Sequence, residues 1–172
     1  MKAFIALLLL LAGSPEMAAA QENIVGQASV IDGDTVEIRG VQIRLFGVDA
    51  PESQQTCLDD DGKQYRCGQK AALALSEFIA SRPVSCAPQD TDRYGRTVSM
   101  CSVAGADLAD WLVRAGLAFD WPQYSKSRYT AAQKAAERAG DGMWGGEWVL
   151  PWAYRTCVGG GGQPDRCSKS AR

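Results

Sequence analysis

From residue 24 onward the chain opens with three short stretches in which apolar and polar positions alternate or run apolar with β-branched residues: 24–31, 35–39 and 41–46. Asp32-Gly33-Asp34 and Gly40 separate them. A period of two is the signature of a half-buried strand, and Asp-Gly and Gly favour turns, so the spacing predicts a three-stranded meander. Residues 50–66 lose the pattern and carry Asp, Gln, Ser and Gly, a loop composition. The period then becomes helical. Over 69–81, Ala72, Leu75, Phe78 and Ile79 share one face, and Arg82-Pro83 ends the run because proline disfavours a helical residue before it.

Strand patterning returns at 84–88 and 97–103, on either side of the turn Asp92-Arg93-Tyr94-Gly95-Arg96. Residues 107–115 place Leu108 and Leu112 inward with Gly116 at the end, and 130–139 form an alanine-rich stretch; both read as helices. Five strands and three helices, with no internal repeat, make a small α+β domain. The tail differs: Trp148, Leu150, Pro151, Trp152 and Tyr154 form an aromatic cluster expected to pack back on the domain, with a binding surface as the alternative. Gly159 to Gly162 follow as a glycine loop.

The N-terminus changes the picture by setting the compartment. Lys2, an apolar run through Ala12 and then Ala18-Ala19-Ala20 have the layout of a signal peptide over residues 1–20. A transmembrane anchor is the other reading, but the run falls short of the roughly 20 residues a spanning helix needs. In an exported chain the six cysteines are most simply disulfides. Their spacing favours the pairs Cys57–Cys67, Cys86–Cys101 and Cys157–Cys167, each contributing roughly 2–4 kcal/mol. Cys86 and Cys101 lie almost symmetrically about the 92–96 turn, where opposed strand positions come within disulfide reach. The organisation expected is therefore a leader (1–20), one domain (21–148) and a stapled tail (149–172), placed in the periplasm or the medium as a monomer with no stable membrane association.

Composition then removes chemistries. The chain contains no histidine, which excludes Ser-His-Asp and Cys-His nucleophile systems, histidine acid–base pairs and the usual zinc hydrolase ligands. What is left is carboxylate, arginine and a hard metal. Asp32, Asp34, Asp49 and Glu52 all fall at or beside strand ends, where two segments could converge their oxygens on Ca²⁺ or Mg²⁺. Taken singly, each is also an ordinary turn or loop residue. Arg44, between Ile43 and Leu45, points away from those apolar neighbours and needs an anionic partner, either a carboxylate or a phosphate. Arg96 is a second phosphate clamp or a turn-stabilising ion pair. The formal charge of -2 argues against tight, sequence-independent polyanion binding.

Four blocks taken in order, I-D-G-D-T (31–35), R-L-F-G-V-D-A-P-E (44–52), D-R-Y-G-R (92–96) and L-V-R-A-G-L-A (112–118), resemble the staphylococcal nuclease (thermonuclease) family. The likeness runs from about residue 27 to Trp144. It implies a five-stranded OB-like barrel with three helices, in agreement with the element count. It also implies a secreted Ca²⁺-dependent phosphodiesterase acting on DNA and RNA. Carried over by position, Asp34, Asp49 and the main-chain carbonyl of Ala50 hold the metal, with Asp32 behind them. Glu52 positions or deprotonates the attacking water, and Arg44 and Arg96 hold the scissile phosphate. Arg93 and Tyr94 meet the terminal phosphate and the sugar or base, while Trp121 and Tyr124 line the nucleotide pocket, unless those two rings merely pack. Ala50 stands where the family usually has threonine, a change the main-chain ligand tolerates. The chain is mildly acidic where the family's best-known member is strongly basic. The competing reading is a non-catalytic OB-fold module that binds an oligonucleotide, a polysaccharide or a protein.

Overall fold

The computed structural model describes residues 22–169; the expected leader, residues 1–20, lies outside the described residues. Strands β1 (Ile24–Val30), β2 (Thr35–Ile38) and β3 (Val41–Leu45) form the expected meander. In β1 exposure alternates residue by residue, with Ile24, Ala28 and Val30 turned inward and Val25, Gln27 and Ser29 outward. Ile38 pairs with Val41, leaving Arg39-Gly40 as a two-residue turn with φ of 52° and 79°. Two left-handed residues match the twist of the flanking strands, and only glycine adopts that geometry freely.

After helix α1 (Cys67–Ile79) come strands β4 (Pro83–Thr91) and β5 (Thr97–Val103). β1 pairs with β2 and β4, and β4 pairs with β5, all antiparallel. β5 then runs parallel to β3, which closes a five-stranded barrel. β4 is longer than the 84–88 expected because its prolines are accommodated. Pro83 is the first residue, and Pro88 sits where the register shifts, both positions that need no ladder N–H.

Helices α2 (Leu108–Arg114) and α3 (Thr130–Ala139) complete the expected set. Asp107 caps α2, its Oδ1 accepting from the N–H groups of Ala109 and Asp110 at 2.9 and 3.2 Å. The core lies between barrel and helices: Val36, Ile38, Ile43 and Leu45 meet Leu75, Ile79, Leu108 and Leu112, each at most 1% exposed. Every such buried side chain contributes roughly 1.5–3 kcal/mol. The inward stripe of α1 runs through Ala71, Leu75 and Ile79, with Ala72 and Phe78 on its flanks, and Phe78 stacks on Trp111 at 4.1 Å.

A second, smaller cluster gathers the tail. Phe119 and Met143 are buried beneath Trp144, Trp148 and Trp152, so the aromatic cluster packs back on the domain as expected. The tail is more ordered than a glycine loop: residues Pro151–Gly159 form helix α4, with Pro151 in its first turn. Gln55 Nε2 donates to the Val149 carbonyl at 2.6 Å and Thr56 N to Ser168 Oγ at 3.1 Å, fastening the tail to the 50–66 loop. All three disulfides pair as the spacing favours, and Cys86 stands directly opposite Cys101 in the β4–β5 ladder. Among the described residues, no helix is long and apolar enough to cross a membrane.

Candidate active site

One cleft of about 1060 Å³ opens at the end of the barrel where β2 and β3 begin and finish, and it holds most of the residues the sequence singles out. Arg44 is the hinge of the arrangement. β3 pairs it with Thr35 and Val98, so its side chain leaves the barrel toward the turn that carries Asp34. Arg44 Nη1 lies 2.5 Å from Asp34 Oδ1, and Nη2 lies 2.7 Å from Asp49 Oδ1 and 3.3 Å from the Val48 carbonyl. The anionic partner that a strand-borne arginine requires is therefore two carboxylates at once.

Asp34 and Asp49 are almost shut off from solvent, at 4% and 0% exposed. The other Asp34 oxygen accepts from Ala50 N at 2.8 Å. Asp49 is placed by a two-residue ladder in which it pairs with Phe119, beneath the aromatic cluster. Burial pushes the Asp34 carboxyl up to about 7, with Arg44 opposing and Asp32 and Asp49 adding to the rise. Burial works to lower the Arg44 pKa, but Asp34 and Asp49 outweigh it and hold the guanidinium charged. Asp32 plays a local part: its Oδ1 accepts from Asp34 N at 3.0 Å and fixes the turn.

Of the two readings of Arg96, the ion pair is present. Arg96 pairs with Asp92 (Nε to Oδ2, 2.8 Å), which braces the 92–96 turn, and it extends Nη1 toward Thr35 Oγ1 at 3.3 Å. Thr35 Oγ1 in turn donates to Asp34 Oδ1 at 3.3 Å, so Arg96 is linked to the carboxylates through one hydroxyl. Arg93 and Tyr94 stand exposed on the rim, with the guanidinium 4.8 Å from the ring centroid. Trp121 and Tyr124 line the opposite rim, edge to face at 4.5 Å.

Glu52 comes close to these groups through a tight backbone contact. A Cβ on Gly68, at the start of α1, would lie 1.9 Å from the Glu52 carbonyl oxygen, so only glycine lets the helix approach the loop this closely. The Glu52 side chain is 39% exposed and lines the cleft.

Sequence reasoning missed one participant. Arg155, on α4, donates Nη1 to Asp49 Oδ1 at 3.0 Å and to Glu52 Oε1 at 2.8 Å, and Nη2 to Asp49 Oδ2 at 2.8 Å. Its guanidinium also lies 5.7 Å from the Trp121 ring centroid, and Trp152 stacks on Trp121 at 5.7 Å with 17° between planes. Burial works against the charge on Arg155, and its bonds to Asp49 and Glu52 override that and raise its pKa. The available signal was a lone charge: Arg155 is the one charged residue in 148–164, an otherwise apolar and glycine-rich run.

The donor set suits a hard cation. Two buried carboxylates and the adjoining Ala50 backbone offer oxygen only, with no imidazole or free thiol nearby. Among the described residues no group of three or more His, Cys, Asp or Glu is placed to hold a metal ion.

Comparison with known proteins bears on this geometry. Residues 42–146 match the family model described as staphylococcal nuclease homologue. The chain is 50% identical over 129 residues to the succinoglycan biosynthesis protein ExoI of Rhizobium meliloti (strain 1021), covering 74% of this chain and 68% of that protein. It is 29% identical over 163 residues to an uncharacterized endonuclease of Escherichia coli O157:H7, covering 90% and 98%. Similarity to an uncharacterized endonuclease of Haemophilus influenzae is 28% over 130 residues, covering 72% and 67%.

Proposed function

Because the chain belongs to the staphylococcal nuclease homologue family, we propose that it is a Ca²⁺-dependent nuclease, secreted or periplasmic, that hydrolyses phosphodiester bonds of DNA and RNA. Family membership supports nuclease chemistry; the metal, the substrates and the residue roles are our reading of the cleft. The observation that carries it is Arg44 bonded at once to Asp34 and Asp49 in a cleft that Glu52 and Arg96 also line. Three disulfides support an oxidising compartment, and the protein acts as a monomer.

Asp34, Asp49 and the Ala50 carbonyl would hold Ca²⁺, which when bound supplies Lewis-acid polarisation of the scissile phosphate. Arg44 and Arg96 orient that phosphate, donating to its non-bridging oxygens as negative charge builds there. Glu52 accepts a proton from the water that attacks phosphorus, while the sugar oxygen leaves on the opposite side. Trp121 and Tyr124 stack on a base, worth roughly 1–3 kcal/mol per base. Arg93 and Tyr94 hold the flanking phosphate and sugar, and Asp32 keeps the Asp34 turn in shape.

The test is cleavage of single-stranded DNA and RNA by the oxidised protein at low salt, with Ca²⁺, with Mg²⁺ and with a chelator. Ca²⁺-dependent cleavage is expected, lowered on the order of 100-fold in Glu52→Gln with no change in melting temperature. A folded protein that cleaves nothing under any of these conditions turns the reading to an OB-fold binding module.

A further inference from the structure

We propose that Arg155, carried by α4 beyond the family-matched residues 42–146, is a positioning residue of this site. It ties Glu52 to Asp49, and it shares Asp49 with the cation the site takes. The inference rests on the nuclease reading above.

Glu52 is partly exposed, unlike the buried Asp34 and Asp49. Its side chain is 39% exposed, and among the described residues its carboxylate has one hydrogen-bond partner, Arg155. A partly exposed glutamate without a fixed partner distributes over several rotamers, and a proton acceptor must sit within hydrogen-bond reach of the water it activates. Arg155 removes that freedom because its other contacts are rigid. It holds both oxygens of Asp49, which is fully buried. The planar guanidinium fork thus fixes Glu52 relative to a buried carboxylate that Arg44 also holds.

Arg155 is itself fixed from both sides along α4. Three residues earlier, Trp152 stacks on Trp121; two residues later, Cys157 is bonded to Cys167. The guanidinium also lies over Trp121. The same contact has an electrostatic consequence. A cation on Asp49 and a guanidinium bonded to both of its oxygens repel each other, so Arg155 weakens cation binding while it orders the glutamate.

The experiment uses the full oxidised chain and the variants Arg155→Met, Arg155→Lys and, as a control for charge loss in the tail, Arg166→Ala. Ca²⁺ affinity is measured by calorimetry without nucleic acid, kcat and KM on single-stranded DNA, and folding by thermal melt. In Arg155→Met, Ca²⁺ is expected to bind about tenfold tighter through removal of one nearby positive charge. In the same variant kcat is expected to fall at least roughly tenfold through misplacement of the base, with KM near the parent's. Arg155→Lys regains part of kcat, and Arg166→Ala behaves as the parent. Unchanged Ca²⁺ affinity in Arg155→Met, a kcat at or above the parent's, or no rescue by lysine overturns the proposal while an active parent leaves the nuclease reading standing. A folded parent that neither binds Ca²⁺ nor cleaves overturns both.

Discussion

The two walls of the cleft are built in opposite ways. On the barrel wall, Asp34 lies 10 positions before Arg44 and Arg44 5 before Asp49, and they are aimed by strand register: Thr35 opposite Arg44, Asp49 opposite Phe119. On the tail wall, Arg155 reaches Asp49 across 106 positions and is held by a disulfide, a ring stack and a helix that begins at Pro151. Both walls place a guanidinium on Asp49. One does so with hydrogen-bonded backbone that the core already stabilises, and the other with side-chain attachments that can be removed singly without touching the barrel.

That difference is open to attack at three strengths. The largest effect belongs to the barrel wall: Arg44→Lys keeps the charge but loses the fork that spans Asp34 and Asp49, so kcat is expected to fall on the order of 100-fold. Steady-state kinetics beside a thermal melt close to the parent's would check it, and a mild kinetic effect would make the two walls equivalent. Next is the tail staple. Replacing Cys157 and Cys167 together with serine frees a loop of sequence separation 10 and is expected to cost about 2–3 kcal/mol in chemical denaturation. Turnover should drift toward that of Arg155→Met; unchanged turnover would mean that the Trp152 stack and the hydrogen bonds from Gln55 and Thr56 hold α4 without the disulfide.

The smallest effect is alkaline. Tyr129 is buried in the main core, and burial, with Asp107 adding, pushes its hydroxyl well above the usual tyrosine range. The native state then keeps a proton that the unfolded chain gives up near pH 10, so stability from this group is intact below about pH 10 and declines as pH rises further. Tyr129→Phe should flatten that decline in pH-dependent melts. Tyr154, in α4, is raised in the same direction by burial, with Glu52 and Asp165 adding. Any slope left in Tyr129→Phe therefore includes the tail's share.

The barrel wall was legible in the sequence and the tail wall was not, for a physical reason. Alternation in 24–46 sets which face each side chain takes, and the ordered motifs carry Asp34, Arg44, Asp49 and Glu52 with them. Cysteine spacing alone favoured the pairs that form. A strand-borne arginine at position 44 calls for a carboxylate or a phosphate without saying which, and the structure places two carboxylates there. Arg155 belongs to no periodic face or motif. Its partners depend on Phe119 and the tail tryptophans folding over Asp49, a tertiary event with no local signature beyond one charge in an apolar run. The α1 boundary shifted for a similar reason: Cys67 and Gly68 join the helix where it meets the loop backbone at Glu52.

The barrel closes through a parallel seam of three residue pairs, Ile43 with Thr97, Arg44 with Val98 and Leu45 with Ser99. Parallel pairing is slightly weaker per residue than antiparallel pairing, and Arg44 is the middle stitch. Asp34, Arg44 and Asp49 all lie on the β2–β3 side of that seam, so a partial parting leaves them together and carries Arg96, next to the first residue of β5, away from Thr35 before the helices or the other strand pairs need separate. The site is thus wired to the fastening of the hoop: an enzyme built this way switches off when its barrel begins to gape, well before the chain as a whole lets go.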